Sequence, residues 1–260
     1  MIPYLVFDLE TIPDVKGLRA LHEPAESLSD TEFVEQILAE RLEKTGSTFL
    51  PHHLQKVAVI GCVFRDDNGF RVKTLGSDEA DEATMIRQFF KTIDFYTPQL
   101  ISWNGTGFDA PVLHYRSLIH GISSPCYWDT GENNRDFKYN NYLSRYHSRH
   151  LDLMDVLAGY TGRANAPLDQ LAKLCGFPGK LGMDGSQVWT AWQEGRADEV
   201  RGYCETDVVN TWLVFCRYRL MKGELDEVSY QEEIDLVRES LSQIDKPHWK
   251  EYLDTWDKGL

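Results

Sequence analysis

Residues 2–11 read Ile-Pro-Tyr-Leu-Val-Phe-Asp-Leu-Glu-Thr, a short and nearly continuous apolar run that stops at an acid. Such a run, Ile2 to Phe7, suits a strand buried on both faces of a sheet. Asp8 then falls at the carboxyl end of that strand. Asp8 and Glu10 are two apart, so on an extended chain both carboxylates point to one side, where two like charges need a cation. In an acidic chain an Asp-x-Glu triplet alone ordinarily marks a solvated face. Its position at the end of an apolar strand argues for more than that.

Downstream, Ser29 and Glu32 form a capping box and Leu28 with Phe33 a hydrophobic staple. Phe33, Ile37, Leu38 and Leu42 supply an apolar stripe and Gly46 a stop, so a helical insertion is expected over about residues 14–50. Val57 to Phe64 and Phe70 to Leu75 read as strands joined by the turn Asp66-Asp67-Asn68-Gly69. Glu79 to Phe95 has a helical period, Leu100 to Trp103 is a short strand, and Asp109 to His120 a helix. Residues 121–149 lack periodicity and form a long irregular connection, a kind of segment often tied to function. Leu151 to Leu157 fits either a last strand or a helix start. Leu168 to Cys175, Ser186 to Glu194, Ala197 to Met221, Asp226 to Leu241 and His248 to Trp256 are helical patterns. This order of elements predicts an α/β domain whose first three strands are adjacent and antiparallel.

The chain has 260 residues, with 27 Lys and Arg against 41 Asp and Glu, for a net charge of −14. No stretch approaches the roughly 18 to 20 apolar residues of a membrane helix, and no basic and apolar leader opens the sequence. The five cysteines show no C-x-x-C spacing, which argues against a disulfide framework and a zinc site and for reduced thiols in a cytoplasm. The acidity at first argues against a nucleic-acid partner. Resolved along the chain, residues 1–50 carry ten acids and four bases and residues 223–260 eleven and four, while 135–180 has seven bases and four acids. The excess charge therefore sits in the flanks, and the middle offers a basic stretch.

Three segments can carry chemistry: Phe7-Asp8-Leu9-Glu10-Thr11, Asn104-Gly105-Thr106-Gly107-Phe108-Asp109, and Tyr203-Cys204-Glu205-Thr206-Asp207. Asp109 lies at a strand-to-helix junction, where ligand-binding residues gather in open α/β sheets; a plain helix N-cap would also explain it. Tyr203 and Asp207, four apart on a helix, share a face; a core tyrosine with a surface acid one turn on is the plainer reading of that pair alone. Taken in order, the three segments exceed what each supports singly.

Asp8-Leu9-Glu10, Asn104 to Asp109 in the form N-G-x-x-F-D, and Tyr203-x-x-x-Asp207 resemble the three motifs of the DEDD 3′-to-5′ exonucleases. Tyrosine in the third motif points to the DEDDy branch, which includes the proofreading domain of B-family DNA polymerases. The closer resemblance is to bacterial predicted exonucleases related to that domain but lacking a polymerase. Leu9 stands where the polymerases often carry Ile. The resemblance implies an RNase H-like fold, a central mixed sheet of five to six strands with helices on both faces. It spans about residues 1–222, leaving 223–260 as an acidic helical extension expected to pack on the same domain.

What the resemblance implies is a stand-alone enzyme that removes nucleotides from single-stranded DNA or RNA 3′ ends. Asp8, Glu10, Asp109 and Asp207 would hold two Mg²⁺ or Mn²⁺ ions, since oxygen ligands select hard cations and not zinc. Tyr203 would orient the attacking water, because a phenol with a pKa near 10 is a poor base at neutral pH. Asn104 would hold its motif in register. Phe108 and Trp103 are candidates for base stacking, although packing beneath the site explains both as well. Lys180, Lys173, Arg145 and Arg149 are candidate phosphate contacts, and Asp152 and Asp155 either support the site or cap a helix. Two other classes stay open: a catalytically silent nucleic-acid-binding scaffold, and another metal-dependent phosphoesterase acting on short oligonucleotides. No membrane partner is expected, and the oligomeric state is not legible.

Overall fold

In the computed structural model, which describes residues 2–22, 28–76 and 81–259, the opening strand β1 runs Tyr4–Pro13. It is longer than the apolar run suggests, and Asp8 lies mid-strand and not at the end. The reason is its two neighbours. Antiparallel β2, Gln55–Asp66, accompanies β1 from Tyr4↔Arg65 to Pro13↔Gln55, with an irregularity at Glu10/Thr11. Parallel β4, Gln99–Ser102, pairs only with Tyr4, Leu5 and Val6. Beyond Val6 one edge of β1 is open, and Asp8 and Glu10 lie along that stretch.

With β3, Gly69–Thr74, and β5, His150–Asp152, the sheet order is β3-β2-β1-β4-β5. The first three strands are antiparallel, and β4 and β5 run parallel to β1. Side chains alternate across β1, so Leu5, Phe7 and Leu9 enter one core and Val6 the other. Asp8 and Glu10 share the parity of Val6, and that face is the one covered by the long helix near the chain's end.

On the Leu5 and Phe7 side lie α3, Glu82–Tyr96, and α4, Asp109–His120. The insertion forms α1, Val15–Leu21, and α2, Asp30–Thr45, with the capping box in place (Ser29 N–H to Glu32 Oε2, 2.9 Å) and Gly46 left-handed at φ 73°. Phe33 and Ile37 are buried as the stripe requires, whereas Leu42 is exposed and Val34 is buried in its place. In 121–149 only α5, Pro125–Trp128, and a 3₁₀ turn at Arg135–Lys138 are regular. That connection is pinned by Asp129, which accepts from four successive N–H groups of residues 131–134, and by Tyr142, which donates to the Pro98 carbonyl at 2.7 Å. Residues 151–157 are both things at once, β5 followed directly by α6, Leu153–Leu157.

The other side holds α7, Leu168–Leu174, α8, Val188–Gln193, and α9, Ala197–Met221. All of Gly202 to Cys216 in α9 is buried. A helix buried all round needs cover on its outer side, and α10, Glu227–Ser242, and α11, Pro247–Lys258, supply it. Trp249 and Tyr252 of α11 join Trp212 of α9 in one core. The start of the helix expected at Glu79 to Phe95, Glu79 and Ala80, lies outside the described residues, as do residues 23–27 of the expected insertion. No helix among the described residues is long and apolar enough to cross a membrane.

Candidate active site

Strand β1, helix α9, the turn into α4 and the loop of Lys180 after α7 meet at a cleft of about 620 Å³ lined by Asp8, Glu10, Asn104, Asp109, Tyr203, Asp207 and Lys180, with Trp103, Phe108 and Asp169 at its walls. Strand β1 brings Asp8 and Glu10, helix α9 brings Tyr203 and Asp207, and the turn before α4 brings Asn104 to Asp109. Asp109 is the first residue of α4 and not its N-cap, which is Phe108 with no side-chain capping bond. Its Oδ1 instead accepts the Leu9 N–H at 2.9 Å. That donor is available because β4 has already parted from β1.

The turn is shaped by its glycines. A Cβ at Gly105 would lie 2.3 Å from Ser102 Oγ, and one at Gly107 would lie 2.5 Å from Asn104 Oδ1. Asn104 itself is left-handed at φ 63°, a region that asparagine tolerates better than most residues. Its carbonyl accepts from Gly107 and Phe108 N–H, both at 3.0 Å. Asp152 clamps the turn to β5: Oδ1 accepts Asn104 N–H at 2.9 Å, and Oδ2 accepts Thr106 N–H at 2.9 Å and Thr106 O–H at 2.7 Å. The same carboxylate caps α6, so both expectations for Asp152 hold at once. The turn's register is thus held by hydrogen bonds of the Asn104 main chain and by Asp152.

The charges in the cleft are unbalanced. Burial raises the pKa of Asp8 well above the usual carboxylate range, and Asp109 and Asp207 add to the shift. Glu10 is raised by burial and then by Asp8 and Asp207. Asp109 is pushed up to about 7 by burial, against the pull of the Leu9 N–H. Asp207 is raised by burial despite Lys180. Lys180 Nζ lies 3.3 Å from Asp207 Oδ2 and donates to the Tyr203 hydroxyl. Burial works against the lysine's charge, but Asp207, Asp8 and Glu10 outweigh it and raise its pKa. Burial and the same three carboxylates push the Tyr203 phenol above its ordinary value. Asp207 Oδ1 is buried with no hydrogen-bond partner.

Residues 47–256 match the family described as predicted 3′-5′ exonucleases related to the exonuclease domain of PolB. The chain belongs to that family. The matched span takes in Asp109, Tyr203, Asp207 and α10, and begins after β1. A DNA polymerase of Archaeoglobus fulgidus is 25% identical over 164 residues, 60% of this chain and 20% of the polymerase. Among solved structures, the family B DNA polymerase of the hyperthermophilic archaeon Pyrobaculum calidifontis superposes with a TM-score of 0.52 at 16% identity, over 85% of this chain and 25% of that one. The chain therefore spans a quarter or less of the length of these polymerases. The mixed five-stranded sheet with helices on both faces is the RNase H-like α/β fold of this exonuclease family.

Around the cleft, the remaining expected residues divide. Trp103 is half-buried against the core of α9, and Phe108 packs on Phe49 and His52 at ring distances of 5.5 and 5.6 Å. Lys173 is paired with Asp169 at 2.8 Å, and Asp169 accepts the Lys180 N–H at 2.7 Å, so Lys173 stands one residue removed from the cleft wall. Arg149 is turned away, stacked 4.5 Å from the Phe137 ring and bonded to the Asn140 carbonyl. Arg145 lines an adjoining cavity. Four contributors escaped the sequence reading. Cys204 Sγ lies with Asp8 and Glu10 in one group of ligand atoms within 4.8 Å of one another. Its place three residues before Asp207 on one helix was the available signal. Asp169 and the pair Asn210–Tyr252 had none: Asn210 donates to Gly179 O at 2.9 Å and accepts from Tyr252 at 2.7 Å, tying α11 to the loop of Lys180.

Proposed function

We propose that this chain is a divalent-metal-dependent 3′-to-5′ exonuclease of the DEDDy type, acting on single-stranded nucleic-acid ends. The observation that carries this reading is Asp8, Glu10, Asp109 and Asp207 lining one cleft, with Asp169 at its wall and, among the described residues, Lys180 as the one cation of the lining, while Asp207 Oδ1 stays buried and unpaired. The four carboxylates offer oxygen donors, which suit Mg²⁺ or Mn²⁺, and the Cys204 thiol beside Asp8 and Glu10 is pushed by burial well above its ordinary pKa and so away from the thiolate that a soft metal would need. Asp8, Glu10, Asp109 and Asp207 would hold two such ions. Bound there, they would activate a water and offset charge on the leaving oxygen.

The protein's own groups do the rest. The Leu9 N–H orients Asp109, and Asp152 fixes the turn that presents it. Tyr203, kept protonated by its surroundings, orients water through its hydroxyl and does not act as the base. Lys180 holds Tyr203 and Asp207 in one arrangement and brings a positive charge to the phosphate. We take residues 1–222 as the catalytic unit and 223–260 as its support, through Tyr252 and Asn210.

The test incubates 5′-labelled single-stranded DNA and RNA with pure protein in Mg²⁺, Mn²⁺ or EDTA, beside Asp8→Ala and Asp207→Ala. A ladder shortening from the 3′ end is expected only with metal and intact carboxylates. Tight binding without cleavage on every substrate would instead mean a silent scaffold. Unchanged cleavage in both variants would sink the assignment of the site.

A further inference from the structure

The cleft does not end at Asn104. A second cavity of about 280 Å³ shares Asn104, Met154 and Asn165 with it and continues to Leu143, Arg145 and Asp155. Beside Arg145, which lines this cavity, stand two exposed phenols, Tyr146 at 70% and Tyr160 at 38% of full exposure. Their rings meet edge to face at 4.9 Å, and the Arg145 guanidinium carbon lies 5.9 Å from the first ring and 5.5 Å from the second. Resting on the exonuclease reading of the cleft, we propose that this cavity and the Arg145, Tyr146 and Tyr160 platform are the track for the single strand leading to the 3′-terminal nucleotide.

Chemistry commits the platform to that occupant. Aromatic faces beside a guanidinium bind bases by stacking and phosphates by charge, without reading sequence. A protein of net charge −14 repels a polyanion over most of its surface, and the platform lies in the 135–180 stretch where bases outnumber acids. Arg145 Nη2 bonds Asp155 Oδ2 at 2.8 Å, which fixes the guanidinium and engages one of its five N–H donors. Asp155 also accepts the Thr106 hydroxyl at 3.1 Å, so the platform is joined to the turn that carries Asp109. Tyr160 is held in a left-handed conformation at φ 59°, which a bulky side chain rarely adopts.

Binding of a 5′-fluorescein-labelled oligothymidylate trinucleotide and dodecanucleotide, with Ca²⁺ in place of Mg²⁺, tests the track in wild type, Tyr146→Ala/Tyr160→Ala and Arg145→Met. The double variant is expected to weaken the dodecanucleotide by about 10-fold for each stacked base lost and to leave the trinucleotide unchanged. In Mg²⁺ its KM for the long strand rises while kcat stays, and Tyr146→Phe/Tyr160→Phe restores both. Arg145→Met lowers the salt dependence of long-strand binding by about one phosphate contact. If the double variant binds the long strand as wild type does while both still shorten the trinucleotide, the track is wrong and the exonuclease reading stands. If wild type hydrolyses neither strand, both fall. A change in sedimentation of the double variant without oligonucleotide would make the patch an interface between copies and remove the track.

Discussion

Two buried acidic clusters in this molecule are built on opposite terms. Between α1, α3 and α4, Arg116 bonds Asp14 at 2.6 Å and grips Glu82 with two donors at 2.7 and 2.6 Å. Glu82 also accepts the Val57 N–H at 2.7 Å and bonds His120 at 2.7 Å. Burial opposes ionisation of Asp14, yet the Arg116 and Gly17 bonds outweigh it and hold its pKa below the usual carboxylate range. In the cleft the balance is reversed: Asp8, Glu10, Asp109 and Asp207 are all raised, and one oxygen has no partner. The first cluster satisfies its charges internally and staples the insertion to the domain. The second leaves its charges uncompensated among the described residues, which on the proposed reading is the room that cations would fill, at some expense to the metal-free fold.

The largest expected effect is at the cleft: Asp8→Ala should cut turnover on the order of 10⁴-fold, the scale of losing one member of a cooperating catalytic set, with circular dichroism unchanged. Arg116→Ala should do the converse, losing about 3–5 kcal/mol of stability because two buried carboxylates are left unpaired. Urea unfolding reads this directly, and if Arg116→Ala cost no more stability than Asp8→Ala, the contrast between the clusters would fail.

Metal should reverse the cleft's penalty. Mg²⁺ or Mn²⁺ at a hundred times its dissociation constant is expected to add about 2.7 kcal/mol, and Asp207→Asn should abolish most of that gain. A carboxylate whose folded pKa is raised binds more protons folded than unfolded, so it loses stability as pH rises from its unfolded value toward its folded one. For Asp109 that window runs from its ordinary value of 3.8 to about 7. His114 and His150, each lowered by burial to about 4, work in the opposite sense between about 4 and their ordinary value of 6.5. Comparing melting temperature in EDTA and in Mg²⁺ at each pH cancels the histidines. The metal-induced gain should grow as pH rises toward 7, and a flat difference would argue against raised carboxylates. The smallest effect expected is for Tyr203→Phe, about 10- to 100-fold in kcat, as for groups that orient a ligand, with stability little changed.

Much of this was legible in local pattern. The hairpin turn at Asp66 to Gly69, the capping box at Ser29 and the bounds of α9 follow from short-range rules of turn chemistry, capping and helical period. The length of β1 was not, because Leu9 to Pro13 remain extended through pairing with β2, a partner more than forty residues away. Neither was the Arg116 cluster, whose ends are 102 residues apart at Asp14 and 34 apart at Glu82. Arg149, which composition alone put among phosphate contacts, is used to pack Phe137 and Tyr142.

By itself, the sequence determined the order of strands and helices and which residue types stand at Asp8, Glu10, Asp109, Tyr203 and Asp207, because those are matters of spacing along a chain. Tertiary structure alone decided that these residues share one cleft with Lys180, that Cys204 Sγ lies beside Asp8 and Glu10, and that Asp109 meets Leu9 where β4 turns away. It also decided that Glu82 is gripped by Arg116 while Asp207 keeps one oxygen buried without a partner. The physical reason is that pairing, desolvation and like-charge crowding depend on distances across the fold, and those are set only when the sheet closes and α9 packs upon it.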